Sequence, residues 1–209
     1  MAIELVTTDG IFALDGGEWE VTNNIWLVGD DREVLIFDAA HDHEPIAAAA
    51  AGRRVVAIVC THGHNDHINA AVALRDAVDA PVLLHPSDRM LWDAVHPGES
   101  PDRDLQPGSV LAAGGHNLGV IHTPGHSPGC CCFHDGADAR VLSGDTLFCG
   151  GPGATGRSYS DEPTILRSIR DRLLTLPSDT VVHTGHGDNT TIGAETERVL
   201  DRMSELGLA

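Results

Sequence analysis

Apolar and polar residues alternate, with β-branched enrichment, over residues 3–8, 11–14, 24–28 and 34–37, which predicts four early strands. An alanine-rich stretch over 44–51, stopped by Gly52, predicts a helix. Residues 55–60 form a short, continuously apolar run, as expected of a strand covered on both faces. A histidine-rich polar loop follows, then a helix over 68–78 closed before Pro81 and a strand over 82–85. The second half reads as strands over 109–112, 118–122, 129–133 and 140–142, then a glycine-dense loop over 144–156. A helix over 162–175, a strand over 180–183, a second polar loop and a helix over 194–206 complete the chain. Strands precede helices in each half, so two sheets packed together with helices outside are expected.

Composition narrows the function. The 209 residues suit a single domain spanning 1–209. Thirteen basic residues, all arginine, face 31 acidic ones, for a net charge of −18. A field of that sign disfavours nucleic acid and anionic membrane surfaces as partners. No apolar run spans a membrane and no signal-peptide pattern opens the chain, so a cytoplasmic location is expected. Cys130, Cys131 and Cys132 are consecutive, the five cysteines are odd in number, and no CxxC occurs, which points to reduced thiols. Cys149 is expected to pack. Residues 105–134 hold no charged side chain, as befits a buried sheet or the wall of a low-dielectric site.

Thirteen histidines are the notable excess, and their spacing carries the chemistry. Residues 62–67 read His-Gly-His-Asn-Asp-His. In an extended segment His62 and His64 point to one side, while Asp66 and His67 lie at the turn into the next helix and can face a second cation. These nitrogen and oxygen donors suit zinc or iron. Six residues cannot close such a site alone. Three later segments offer the rest: Thr-Pro-Gly-His126-Ser-Pro-Gly, Ser-Gly-Asp145-Thr-Leu-Phe and Thr-Gly-His186-Gly, each just past a predicted strand. His41 and His43, flanking Asp42, read as a solvated loop. His85, His96, His116, His122, His134 and His183 read as ordinary hydrogen-bonded histidines.

In these four motifs, their order and their spacing, the chain resembles the metallo-β-lactamase superfamily, and within it the short, bacterial glyoxalase II-like thioester hydrolases. The resemblance implies an α/β (α+β) fold of four layers, αββα. It implies two Zn2+ per chain, one on His62, His64 and His126 and one on Asp66, His67 and His186, with Asp145 bridging; Asp66 and Asp145 would be the catalytic carboxylates. Asp38 resembles the acid that orients a ligand histidine and fixes its tautomer. The implied activity is hydrolysis of a thioester of a small thiol, as in hydroxyacylglutathione hydrolases, by attack of a hydroxide between the ions. Two alternatives use the same donors: a persulfide dioxygenase with one Fe2+ on His62, His126 and Asp145 (or a mixed Zn/Fe pair), and a dizinc lactonase. Cysteine-ligand β-lactamases of the family place Cys where Asp145 stands, which disfavours β-lactam hydrolysis. Arg157 and Tyr159, on the acid-free loop after Asp145, are candidate contacts for a small-molecule substrate.

Overall fold

The computed structural model describes residues 2–208. Strands β1 (Ala2–Leu14), β2 (Gly17–Gly29), β3 (Glu33–Phe37), β4 (Arg54–Val59), β5 (Val82–Leu84) and β6 (Arg103–Asp104) form one sheet, in that spatial order. Helices α1 (His43–Ala50), α2 (Asn65–Ile68), α3 (Ala71–Val78) and α4 (Arg89–Val95) fall between β3 and β6 in the chain. Then come β7 (Val110–Ala113), β8 (His116–His122), β9 (Cys131–Asp135) and β10 (Arg140–Gly144). A small hairpin of β11 (Leu147–Phe148) and β12 (Gly151–Pro152) precedes α5 (Glu162–Ser168), and β13 (Val181–Thr184), β14 (Thr190–Thr191) and α6 (Ile192–Glu205) close the chain. The second sheet has the order β14-β13-β10-β9-β8-β7.

Side chains alternate across each strand, and that alternation sorts the core into three apolar layers. Ile25, Leu27, Val34, Ile36 and Ile58 meet Ile46, Ile68, Leu74 and Trp92 of the first four helices. Their strand neighbours Val28, Leu35, Phe37 and Val59 turn the other way, onto Leu118, Val120, Cys131, Phe133 and Leu142 of the second sheet. Cys132, Val141 and Val182 face outward again, against Ile165 and Leu166 of α5 and Val199 and Met203 of α6. Helices, sheet, sheet and helices thus stack as αββα, the four-layer fold expected. The cysteine triplet is buried, with Cys131 and Cys132 in opposite layers as an alternating strand requires.

Several local expectations change. The predicted break at Asp9-Gly10 is absent: β1 runs unbroken and pairs with β2 from Ala2↔Gly29 to Leu14↔Gly17. Asp15 (φ 53°) and Gly16 (φ 77°) close this hairpin, both in the left-handed region that a two-residue turn of this kind demands. The helix expected over 68–78 begins earlier and is interrupted at Asn69-Ala70, so Asp66 and His67 sit within α2. Helix α4 was not expected, although Ser87-Asp88 ahead of Leu91, Trp92 and Val95 is a start signal followed by apolar helical spacing. The glycine-dense loop contains the β11–β12 hairpin, and α5 continues into a π-helical turn over Ile169–Leu173. Among the described residues no helix is long and apolar enough to cross a membrane.

Strand direction decides where loops gather. β3, β4 and β5 are parallel, as are β10 and β13; β8, antiparallel to β9, which is antiparallel to β10, shares their direction. The segments following β3, β4, β8, β10 and β13 therefore emerge along one edge of the two sheets. Cross-sheet bonds hold that edge shut: Cys131 N–H donates to Thr61 O (2.9 Å), Asn24 N–H to Gly185 O (2.8 Å) and Trp26 Nε1–H to Thr184 O (2.9 Å).

Candidate metal centre

The seven side chains singled out as donors meet at this edge. His62 Nε2 and His126 Nε2 each lie 3.0 Å from His64 Nδ1. His67 Nε2 lies 3.2 Å from His186 Nε2 and 3.5 Å from Asp66 Oδ2, and His186 Nε2 is 3.3 Å from that oxygen. Asp145 stands between the two sets: Oδ2 is 3.4 Å from His126 Nε2 and 3.5 Å from His186 Nε2, while Oδ1 is 3.4 Å from His67 Nε2. Six of the seven are buried, and His186 is the partly exposed one.

The outer ring nitrogens settle which way the lone pairs point. His126 Nδ1–H donates to Ala154 O and His186 Nδ1–H to Thr22 O, both at 2.8 Å. His67 Nδ1–H donates to Asp38 Oδ2 at 2.8 Å. Thr61 Oγ1–H donates to the same oxygen (3.0 Å), so the threonine oxygen accepts from His62 Nδ1–H, also at 3.0 Å. Each of these imidazoles then turns its Nε2 toward the middle of the cluster. Donor atoms packed 3.0–3.5 Å apart repel unless a proton or a metal cation lies among them. Four ligands about 2.1 Å from one zinc would themselves be about 3.4 Å apart, close to the spacing here. Asp66 Oδ1 and Asp145 Oδ1 are also buried without a hydrogen-bond partner. The donor set therefore fits a divalent-metal site.

Electrostatics divides the cluster. Burial, with the neighbouring imidazoles, pushes His62 well below the usual imidazole range and His64 down to about 3. Burial acts downward on His67 and His186 too, but carboxylates outweigh it: Asp145, Asp66 and Asp38 hold His67 well above its usual range, and Asp145 helps raise His186 to about 10. Burial would raise Asp145, yet His67 and His186 hold it well below the carboxylate range. His62 and His64 are thus uncharged at neutral pH, whereas the other set, with its carboxylates, attracts positive charge. A metal entering that second set must displace a proton from His186, held up to about pH 10, and from His67, held well above the usual imidazole range. Zinc affinity is therefore expected to rise between about pH 6 and about pH 8, with protons released on binding, as chelator competition and calorimetry in two buffers would measure.

Four polar residues around the donors were not singled out by sequence. Thr61 links His62 to Asp38. Asn23, fully buried, donates Nδ2–H to Asp66 Oδ2 (3.2 Å) and accepts at Oδ1 from His41 Nε2–H (2.9 Å). His41 is thereby half-buried support for Asp66 rather than part of a solvated loop; its Nδ1 accepts from Asn69 Nδ2 at 3.1 Å. Asp88 is the fourth. The polar pair Asn23-Asn24 within an otherwise apolar strand end was the available signal.

A cavity of about 390 Å³ opens over the cluster, lined by His64, Asp66, His126, Asp145 and His186 and walled by Phe12, Val21, Phe148 and Ala154. Arg157 lines it, its guanidinium 3.9 Å from the Trp19 ring centroid and 5.3 Å from that of Phe12. Tyr159 is exposed and is not among the lining residues. Cys149, expected to pack, is instead exposed and lines the cavity.

With this geometry, comparison with known proteins is decisive. The family model described as metallo-beta-lactamase superfamily matches residues 19–186. The chain belongs to this superfamily. Within it, the chain is similar to a Bacillus subtilis protein named probable metallo-hydrolase YqgX, at 36% identity over 84% of this chain and 90% of the relative. It is 34% identical to hydroxyacylglutathione hydrolase GloC of Haemophilus influenzae, over 66% of this chain and 71% of that one. The solved structure of TTHA1623 in a di-iron-bound form superposes with a TM-score of 0.75 at 35% identity, covering 84% of this chain and 93% of the other. Superfamily membership and the His/Asp cluster together make the chain a metal-dependent hydrolase by family.

Proposed function

We propose that this metallo-beta-lactamase superfamily member hydrolyses thioesters of a small thiol. The observation that carries the reading is Asp145, whose two oxygens face both donor sets on the floor of an apolar-walled cavity. Divalent ions held by His62, His64 and His126 and by Asp66, His67 and His186, with Asp145 toward both, would supply carbonyl polarisation and a water acidified to near neutrality. The remaining work belongs to the chain. Asp38 and Thr61 keep the Nδ1 protons of His67 and His62 outward, so the inner nitrogens stay free to ligate. Phe12, Val21 and Phe148 exclude water around an acyl group. Arg157, held over the Trp19 ring, turns a cation to the substrate's charged end. A thiol with a pKa near 8.5 leaves as its thiolate without an added proton, so thioester cleavage asks no acid of the cavity wall. Likeness to GloC supports the substrate class, and completeness of both donor sets supports two ions, which we take to be zinc.

The test joins elemental analysis of the purified protein to an assay of thiol release from a hydroxyacylglutathione and simpler acyl thioesters. About two zinc ions per chain with chelator-sensitive thiol release is the expected result. One iron per chain, oxygen uptake with a persulfide and no thiol release would overturn it.

A further inference from the structure

The three-histidine set is built from two separate loops: residues 61–64, after β4, carry His62 and His64, and residues 123–130, between β8 and β9, carry His126. Something must fix the distance between these loops before any cation arrives. Asp88, at the end of the 3-10 turn Pro86–Asp88 after β5, lies between them and is fully buried. Its Oδ2 accepts from Gly63 N–H (2.8 Å) on the first loop and from Ser127 Oγ–H (2.6 Å) on the second, and Oδ1 accepts from Gly129 N–H (2.6 Å), also on the second. No arginine or histidine forms an ion pair with it among the described residues, so three donors, all from the ligand-bearing loops, are what hold this carboxylate. Both loops present a bare backbone to it. A Cβ on Gly63 would lie 2.9 Å from Asp88 Cβ, and one on Gly129 would lie 2.6 Å from Asp88 Cγ, so glycine at each position is what permits the approach.

We propose that Asp88 is a positioning residue for the metal centre, a carboxylate tie that sets the spacing of His62 and His64 against His126. It rests on the metal reading of the cluster and on no particular substrate. The argument is stereochemical. A carboxylate offers acceptors on both oxygens, whereas an amide offers one oxygen and one NH2 group. In Asp88→Asn, an oxygen placed toward Gly63 turns the NH2 onto Gly129 N–H; the reverse placement turns it onto Gly63 N–H. Either way a buried donor faces a donor, and one loop is released.

Zinc affinity of Asp88→Asn, measured by chelator competition on the full-length protein, is expected to fall at least about tenfold, the range seen when groups supporting ligands are lost. Gly129→Ala, which changes no polar side chain, is expected to weaken zinc binding in the same direction by pushing the carboxylate off its loop. Visible absorption of the cobalt-loaded protein, which reports donor arrangement, is expected to change in both variants, whereas a variant that is merely less stable would keep the wild-type bands while folded. Unchanged zinc affinity and unchanged cobalt bands in folded Asp88→Asn would overturn the proposal and leave the metal reading intact. A wild-type protein that takes up no zinc or cobalt would overturn the metal reading itself, and the positioning role with it. Should Asp88→Asn fail to fold, Ser127→Ala, which removes one of the three bonds, decides the matter on the same two measurements.

Discussion

Replacing Asp145 by alanine is expected to cut thioester turnover by about a thousand-fold or more, since several kcal/mol of metal-derived stabilisation depend on both ions staying in place. Its oxygens lie 3.4–3.5 Å from nitrogens of both histidine sets, so one truncation weakens two sites. Charge matters as much as reach. Without metal, His67 and His186 are held above their usual range partly by this carboxylate, and without the carboxylate they lose the counter-charge that makes the second set attract cations. Asp145→Asn keeps the volume and removes the charge, so it is expected to fall nearly as far as alanine. Elemental analysis beside the thiol-release assay separates lost metal from lost chemistry. Full metal content with wild-type turnover in Asp145→Asn would show that the two sets do not share this residue.

Much of this site was legible because its donors are histidines and aspartates placed just past strands. Apolar periodicity located β3, β4, β8, β10 and β13, and the parallel directions of those strands bring their following loops to one edge. What holds the donors was harder to read. Asn23, Thr61 and Asp88 act through hydrogen bonds to residues 18 to 43 positions away or to an immediate neighbour, and such pairings leave no local period. His41 looked like one of an H-D-H pair on a loop; only the docking of β2 beside the residues after β3 shows it supporting Asn23. Helix α4 escaped because it spans only Arg89–Val95, too short for periodicity to outweigh the turn residues around it. The break expected at Asp9-Gly10 failed for the opposite reason, since thirteen register pairs with β2 override a weak local preference.

Asp38 carries the second large effect. It follows β3 at φ 67°, a left-handed conformation in which Asp and Asn are tolerated and Ala is not favoured. Its Oδ1 accepts from Thr61 N–H at 2.7 Å, while Oδ2 accepts from Thr61 Oγ1–H and from His67 Nδ1–H. One buried carboxylate thus orients a histidine from each donor set, His67 directly and His62 through Thr61. In Asp38→Asn the amide can keep its oxygen on His67, leaving its NH2 against Thr61 N–H. Alternatively it turns the NH2 toward His67, which must then accept at Nδ1 and carry its proton on Nε2, where a lone pair is needed for metal. Zinc affinity is therefore expected to drop about 10–100-fold in Asp38→Asn. Asp38→Ala is expected to match that loss and to add backbone strain of about 1–2 kcal/mol, lowering the melting temperature of the metal-free protein by about 2–4 °C per kcal/mol relative to Asp38→Asn. Chelator competition and thermal unfolding, run on both variants, separate the two contributions. Wild-type zinc affinity in Asp38→Asn would mean that neither His67 nor His62 needs its outward proton fixed, and that the tautomers are set from within the cluster instead.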